Sequence, residues 1–154
     1  MPDQLGPISG PLGPLASRLA ERFWPGPLTL VVERAPEFEV DLGGPPEAAR
    51  TVGVRWPADP VVEQLARGAG PFVATSANLH GETPARTADE VCRSFEGDER
   101  LMLVLDGGAA HGVPSTVVDC TGETLRCLRD GAVGWAEVVE QVQSGPSVGG
   151  TGDR

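Results

Sequence analysis

Thr75, Ser76 and Asn78 stand together in the stretch from Gly70 to Pro84, directly after the short apolar run Phe72-Val73-Ala74. The two hydroxyls and the amide offer both donors and acceptors. Gly81 can take backbone conformations closed to other residues. Loops of this kind, at the carboxyl ends of strands, are where open α/β sheets bind small ligands. A plain turn capped by Ser and Asn would use the same residues, so the loop by itself leaves both readings open. Arg55 is the next candidate. Val52 and Val54 alternate with Gly53 and Arg55, which predicts a strand ending at Pro57. An arginine at that exit is either a surface charge or a planar fork that grips a carboxylate or phosphate. Ser115 opens a predicted strand to Asp119, and Arg129 follows a further predicted strand from Thr124 to Leu128. A covalent nucleophile is not expected, because His80 and His111 lack an evident serine or cysteine partner.

The elements that would carry these residues can be read in order. Met1 to Pro14 is rich in glycine and proline and reads as a loose leader. Leu15, Leu19 and Phe23 form one stripe of a helix that Pro25 and Gly26 stop. Leu28 to Val32 reads as a strand behind a rigid Pro-Gly-Pro bend. Glu33 to Ala49 reads as an acidic, exposed loop. Asp59 and Pro60 start a helix whose buried side would be Val61, Val62, Leu65 and Ala66. Phe72 to Ala74 predicts a strand, and Leu101 to Leu105 a strand buried on both faces. Between them Thr87 and Glu90 make a capping box, with Val91 and Phe95 inward and Cys92 packed as a small hydrophobe. Trp135 to Val142 fits a terminal helix, and residues 143–154 read as a disordered, glycine-rich tail.

Composition narrows the class. A chain of 154 residues fits one core and a single domain. The net charge of −10 argues against a general nucleic-acid-binding surface. No apolar run is long enough to span a membrane, and no signal peptide is visible. Cys92, Cys120 and Cys127 form no CxxC and have no clustered histidines, which speaks against structural zinc. Their odd number suits a reducing compartment.

Four blocks, in order and together, resemble the threonylcarbamoyl-adenylate synthase family (Sua5/YrdC/YwlC). The first is Arg22-Phe23-Trp24-Pro25-Gly26-Pro27-Leu28-Thr29. The second is Val52-Gly53-Val54-Arg55 with Pro57 and Pro60. The third is Thr75-Ser76-Ala77-Asn78 with Gly81 and Pro84. The fourth is Pro114-Ser115-Thr116-Val117-Val118-Asp119 with Leu128-Arg129 and Gly131. The likeness runs from about Leu15 to Val142, which sets expected bounds of 1–14 for the leader and 15–142 for a YrdC-like domain. The fold it implies is α/β: a twisted mixed sheet with flanking helices and a concave cleft. The activity it implies is condensation of L-threonine, bicarbonate and ATP into threonylcarbamoyl-AMP and pyrophosphate, in the cytoplasm, for threonylcarbamoyladenosine in tRNA. ATP enters as a substrate, and Mg²⁺ is expected with it, held by phosphates and water.

Carried residue by residue, the resemblance gives Arg55, Ala74 and Ser115 to threonine, and Thr51, Ser76, Asn78, Pro84 and Arg129 to ATP. It supplies neither a dedicated catalytic residue nor a protein metal site. It also implies contact with tRNA or with the transferase machinery that uses the product. The family pattern begins with further strands and a Lys-x-Arg motif, whereas Met1 to Pro14 contains no lysine or arginine. The expectation is therefore an N-terminally truncated member, weak or inactive alone, with a bare sheet edge that favours a homodimer. Asp130 beside Arg129 would weaken anion binding. Two other classes remain: a carbamoyl-adenylate-forming YrdC-like domain, and a non-enzymatic module that binds nucleotide or double-stranded RNA.

Overall fold

The computed structural model describes residues 4–43 and 49–143. Its elements are α1 (Pro14–Phe23), β1 (Leu28–Glu33), β2 (Thr51–Val54), α2 (Pro60–Ala69), α3 (Ala88–Ser94), β3 (Thr116–Asp119), β4 (Arg126–Arg129) and α4 (Trp135–Gln143). The fold is α/β. Its contacts group into two compact units, residues 1–72 with 114–154, and residues 73–113.

The first unit holds a four-stranded mixed sheet in the order β2-β1-β3-β4. β1 and β3 are parallel, and the other two pairs are antiparallel. Leu28, Leu30 and Val32 alternate along β1 and are buried, as are Val52 and Val54 on β2 and Val118 on β3. Ala16, Leu19 and Phe23 of α1 and Val138 of α4 complete this core. The three- and four-residue spacing in α1 puts one apolar stripe on the sheet. Arg18 Nη1 ties α1 to α4 through the Val142 carbonyl at 2.8 Å. In α2, Asp59 Oδ1 accepts from the amides of Val61 and Val62 at 2.9 and 3.0 Å, as its cap position requires.

Several expectations need correction. Residues 4–14 are not a loose leader. Leu5, Ile8 and Leu12 pack against the core, Ser9 is buried, and Ser9 bridges to Arg34 in the antiparallel sense. Apolar side chains spaced three and four apart give this segment something to bury despite its prolines and glycines. The expected strand at Thr124 to Leu128 forms at Arg126–Arg129. In α2, Val61 and Leu65 are exposed, so its apolar face is not a core face.

The second unit contains α3 and no strand among its described residues. Thr87 Oγ1 accepts from the Glu90 amide at 3.2 Å, whereas Glu90 Oε2 reaches the Arg86 amide, one residue short of a closed capping box. Phe72 to Ala74 and Leu101 to Leu105 are not strands. Met102 is 88% and Leu103 72% exposed. An apolar run becomes a strand only where a neighbour completes its ladder, and no described segment pairs with either run. Cys92 is exposed rather than packed. The expected tail at 143–154 lies outside the described residues beyond Gln143, and residues 1–3 and 44–48 also lie outside them. Among the described residues no helix is long and apolar enough to cross a membrane.

Candidate functional site

The strand period of two decides which side chains share a face. With Leu28, Leu30, Val52, Val54 and Val118 in the core, Thr29, Gly53 and Val117 take the opposite face of the sheet. Arg55 lies one residue past β2 in phase with Gly53. Ser115 lies one residue before β3 in phase with Val117. Arg129 is paired with Val117. Along the order β2-β1-β3-β4 this face therefore carries Arg55, Thr29, Ser115 and Arg129.

Ser115 is the hub, at 4% exposure. Its Oγ lies 2.9 Å from Thr29 Oγ1 and accepts from Arg129 Nη2 at 3.0 Å. Its carbonyl accepts from Arg129 Nε at 2.9 Å. Two donors of one planar guanidinium on one residue fix the orientation of the fork. The backbone behind Ser115 is held as firmly. The Ala132 amide donates to the Pro114 carbonyl at 3.0 Å, and the Val133 amide to Thr116 Oγ1 at 3.0 Å. Gly131 makes this approach possible, because a Cβ there would lie 2.3 Å from the Pro114 oxygen and 2.7 Å from Ser115 C.

Arg55 sits beside the Pro-Gly-Pro bend. With Gly26, Pro27, Pro57, Ala58 and Asp59 it lines a depression of ≈ 210 Å³. The Gly26 amide donates to the Trp56 carbonyl at 2.7 Å, which pins the bend against the β2 exit. Gly26 is itself constrained, since a Cβ would meet the Phe23 carbonyl oxygen at 2.3 Å. Thr51 opens β2, paired with Glu33. It is four residues from Arg55, about 13 Å along the strand, so the two do not share one end of the sheet.

Local electrostatics are set by two carboxylates. Asp130 accepts from the Trp135 amide at 3.1 Å and so caps α4. The negative charge expected beside Arg129 thus has a structural task at the positive end of a helix. Asp119 is buried. Burial pushes its carboxyl up, but hydrogen bonds from Thr121 and Arg126 outweigh this and hold it below its ordinary value. Neighbouring Cys120 is pushed up to about 12, first by burial and then by the Asp119 charge.

In the second unit, Ala74, Ser76 and Pro84 are exposed. Asn78 Nδ2 donates to the Leu79 and Glu82 carbonyls at 2.8 and 3.1 Å, and the Ala85 amide donates to the Ala77 carbonyl at 2.9 Å. Gly81 turns the loop at φ +84°. The Asn78 amide thus ties the loop to itself and leaves Ser76 at its surface. Arg100 in the same unit is occupied by Asp98, whose carboxyl it holds at about 2. Among the described residues no cluster of three or more His, Cys, Asp or Glu could hold a metal.

Thr29 was missed as a site residue, although it closes the first motif block. The available signal was its place on β1, out of phase with Leu28 and Leu30. Gly131, the last residue of the fourth block, is where the backbone of Pro114 to Thr116 approaches most closely.

Comparison with known proteins matches these elements. The Sua5/YciO/YrdC family model, described as "Telomere recombination", covers residues 2–131. Threonylcarbamoyl-AMP synthase of Bacillus subtilis is 37% identical over 134 residues, covering 84% of this chain and 37% of that protein. The enzyme of Pyrococcus abyssi is 35% identical over 154 residues, covering 96% of this chain and 44% of that protein. Among solved structures, P. abyssi Sua5 complexed with L-threonine superposes with a TM-score of 0.76 at 32% identity, over 91% of this chain and 40% of that one. E. coli YciO gives 0.67 at 27% identity, over 88% and 64%. The chain spans about half the length of the curated relatives it matches, between 37% and 64% for these proteins. The chain belongs to the Sua5/YciO/YrdC family.

Proposed function

We propose that this chain binds L-threonine and ATP and takes part in forming threonylcarbamoyl-AMP. The observation that carries this reading is the row Arg55, Thr29, Ser115, Arg129 across one sheet face. Two guanidinium groups flanking a pair of hydroxyls suit a ligand with a carboxylate at one end and phosphate at the other. A relative solved with L-threonine supports the choice of amino acid.

In this reading Arg55 holds the threonine carboxylate, with Ser115 on the rest of the amino acid. Arg129, oriented by Ser115, faces the nucleotide. In the second unit, taken by itself, the loop that Asn78 braces presents the exposed Ser76 hydroxyl as a phosphate donor. The threonine amine takes up the bicarbonate carbon with loss of water. The resulting carbamate oxygen attacks the α-phosphorus of ATP, and pyrophosphate leaves as the bond to the β-phosphate's bridging oxygen breaks. Charge builds on phosphoryl oxygens, so fixed N–H and O–H donors are the catalytic means, and no covalent nucleophile is needed. Mg²⁺ would enter with ATP, held by phosphate oxygens and water.

The net charge of −10 favours handing the product to a separate transferase over binding tRNA on this surface. The test is incubation with ATP, L-threonine and carbon-13 bicarbonate, followed by mass spectrometry. Labelled threonylcarbamoyl-AMP that requires all three substrates supports the reading. No product together with no saturable binding of L-threonine or ATP, in a preparation that is folded, overturns it; binding without product is the outcome expected of a chain that is weak or inactive alone.

A further inference from the structure

We infer that Thr29 is a positioning residue for the amino-acid site: its hydroxyl fixes the direction in which Ser115 Oγ meets the substrate. The inference rests on the threonine-binding reading of this sheet face. A serine hydroxyl has three hydrogen-bonding valences, one proton and two lone pairs. At Ser115 one lone pair receives Arg129 Nη2 at 3.0 Å. A second valence is taken by Thr29 Oγ1 at 2.9 Å, whichever oxygen donates. One valence remains for a ligand, and its direction follows from the other two.

Thr29 is suited to this task. A β-branched residue on a strand has a restricted χ1, so its hydroxyl does not swing freely. Its methyl group also has a seat: Thr29 Cγ2 lies 3.5 Å from where a Cβ at Gly53 would stand. A Cβ there would be at ordinary van der Waals distance, so the methyl packs over the neighbouring strand without crowding. Among the described residues Thr29 Oγ1 has no other hydrogen-bond partner, so the contact with Ser115 accounts for a hydroxyl at this position. Without it, Ser115 Oγ would have two unassigned valences and could turn its proton away from the ligand.

The experiment measures L-threonine and ATP affinity, with thermal stability, for the unmodified chain and for Thr29→Val and Thr29→Ser. Valine keeps the shape, retains the methyl over Gly53 and suits a strand, so folding is preserved. The expected result is L-threonine binding about threefold to tenfold weaker in Thr29→Val, the range for one net hydrogen bond. ATP affinity falls less than L-threonine affinity, the melting temperature drops by no more than about 2–5 °C, as one lost hydrogen bond implies, and Thr29→Ser recovers most of the loss. Unchanged L-threonine affinity in Thr29→Val overturns the inference and leaves the proposed function standing. Equal losses for both ligands in both variants also overturn it, because they mark a structural role. If the unmodified chain binds no L-threonine, the proposed function falls and this inference with it.

Discussion

Replacing Gly131 with alanine would place a methyl carbon where the backbone of Pro114 to Thr116 already lies. The new Cβ would stand 2.3 Å from the Pro114 oxygen and 2.7 Å from both Ser115 C and Thr116 N. Ordinary carbon contacts fall near 3.5–4.0 Å, so one backbone segment must retreat by about 1 Å. All three neighbours are main-chain atoms, which cannot step aside by changing rotamer. Overpacking of this kind costs about 1–3 kcal/mol. The Ala132-to-Pro114 hydrogen bond at 3.0 Å bridges the same gap, and weakening it adds about 1 kcal/mol. The expected loss is about 2–4 kcal/mol, or a melting temperature lower by about 5–15 °C. The same movement carries Ser115 away from Thr29 and Arg129, so L-threonine binding should fall as well. Gly122→Ala is the control. It lies in the turn between β3 and β4, and its nearest neighbour would be the Thr124 oxygen at an ordinary 3.7 Å. That change should stay within about 0.5 kcal/mol. The assay is thermal unfolding by circular dichroism, with L-threonine titration of each variant. A Gly131→Ala melting temperature within 2 °C of the unmodified chain, by this roughly 2–4 °C per kcal/mol scale, would refute the close-approach argument.

Asp119 should make the protein acid-sensitive. Its folded carboxyl sits below the ordinary value, so its stabilisation is present above about pH 4 and is lost as pH falls through the lowered value. Asp119→Asn should cost about 1–2 kcal/mol at neutral pH, with the Arg126 contact discounted because that side chain is 72% exposed. Its melting temperature should depend less on acid; parallel pH curves for the two proteins would contradict this. Exposed Cys92 and Cys127 should react with a maleimide at pH 8 in the folded protein, whereas Cys120, pushed up to about 12, should react only after denaturation. Peptide mass spectrometry reads this directly, and prompt labelling of Cys120 in the native state would overturn it.

The sequence made the first unit largely legible because its signals are local. Leu28, Leu30 and Val32 alternate against Thr29 and Val31, and this one pattern sets both the core face of β1 and the opposite face that carries Thr29. Asp59 and Thr87 cap their helices as their types and positions suggest. The same alternation placed Arg55 beyond β2 in phase with Gly53, although nothing local could show that Arg129 joins that face through its pairing with Val117. Three features were hidden for physical reasons. The run at Leu101 to Leu105 has strand composition, but pairing depends on a partner that composition does not specify. The Thr29–Ser115 contact joins residues 86 positions apart and looks like any threonine on a strand. Gly131 lacks a positive φ, so its need for glycine comes only from the backbone packed against it.

The central claim is that the Arg55, Thr29, Ser115 and Arg129 face is an amino-acid and nucleotide site. Calorimetric titration of L-threonine into the unmodified chain and into Arg55→Ala tests it most directly. Arg55 is exposed at the mouth of its depression, so the substitution should leave folding intact. The account predicts a saturable single-site heat for the unmodified chain. Arg55→Ala should weaken that binding about tenfold to a hundredfold, as expected for loss of a charge-assisted hydrogen bond to a carboxylate. No saturable heat with the unmodified chain, or equal affinity in Arg55→Ala, would contradict it.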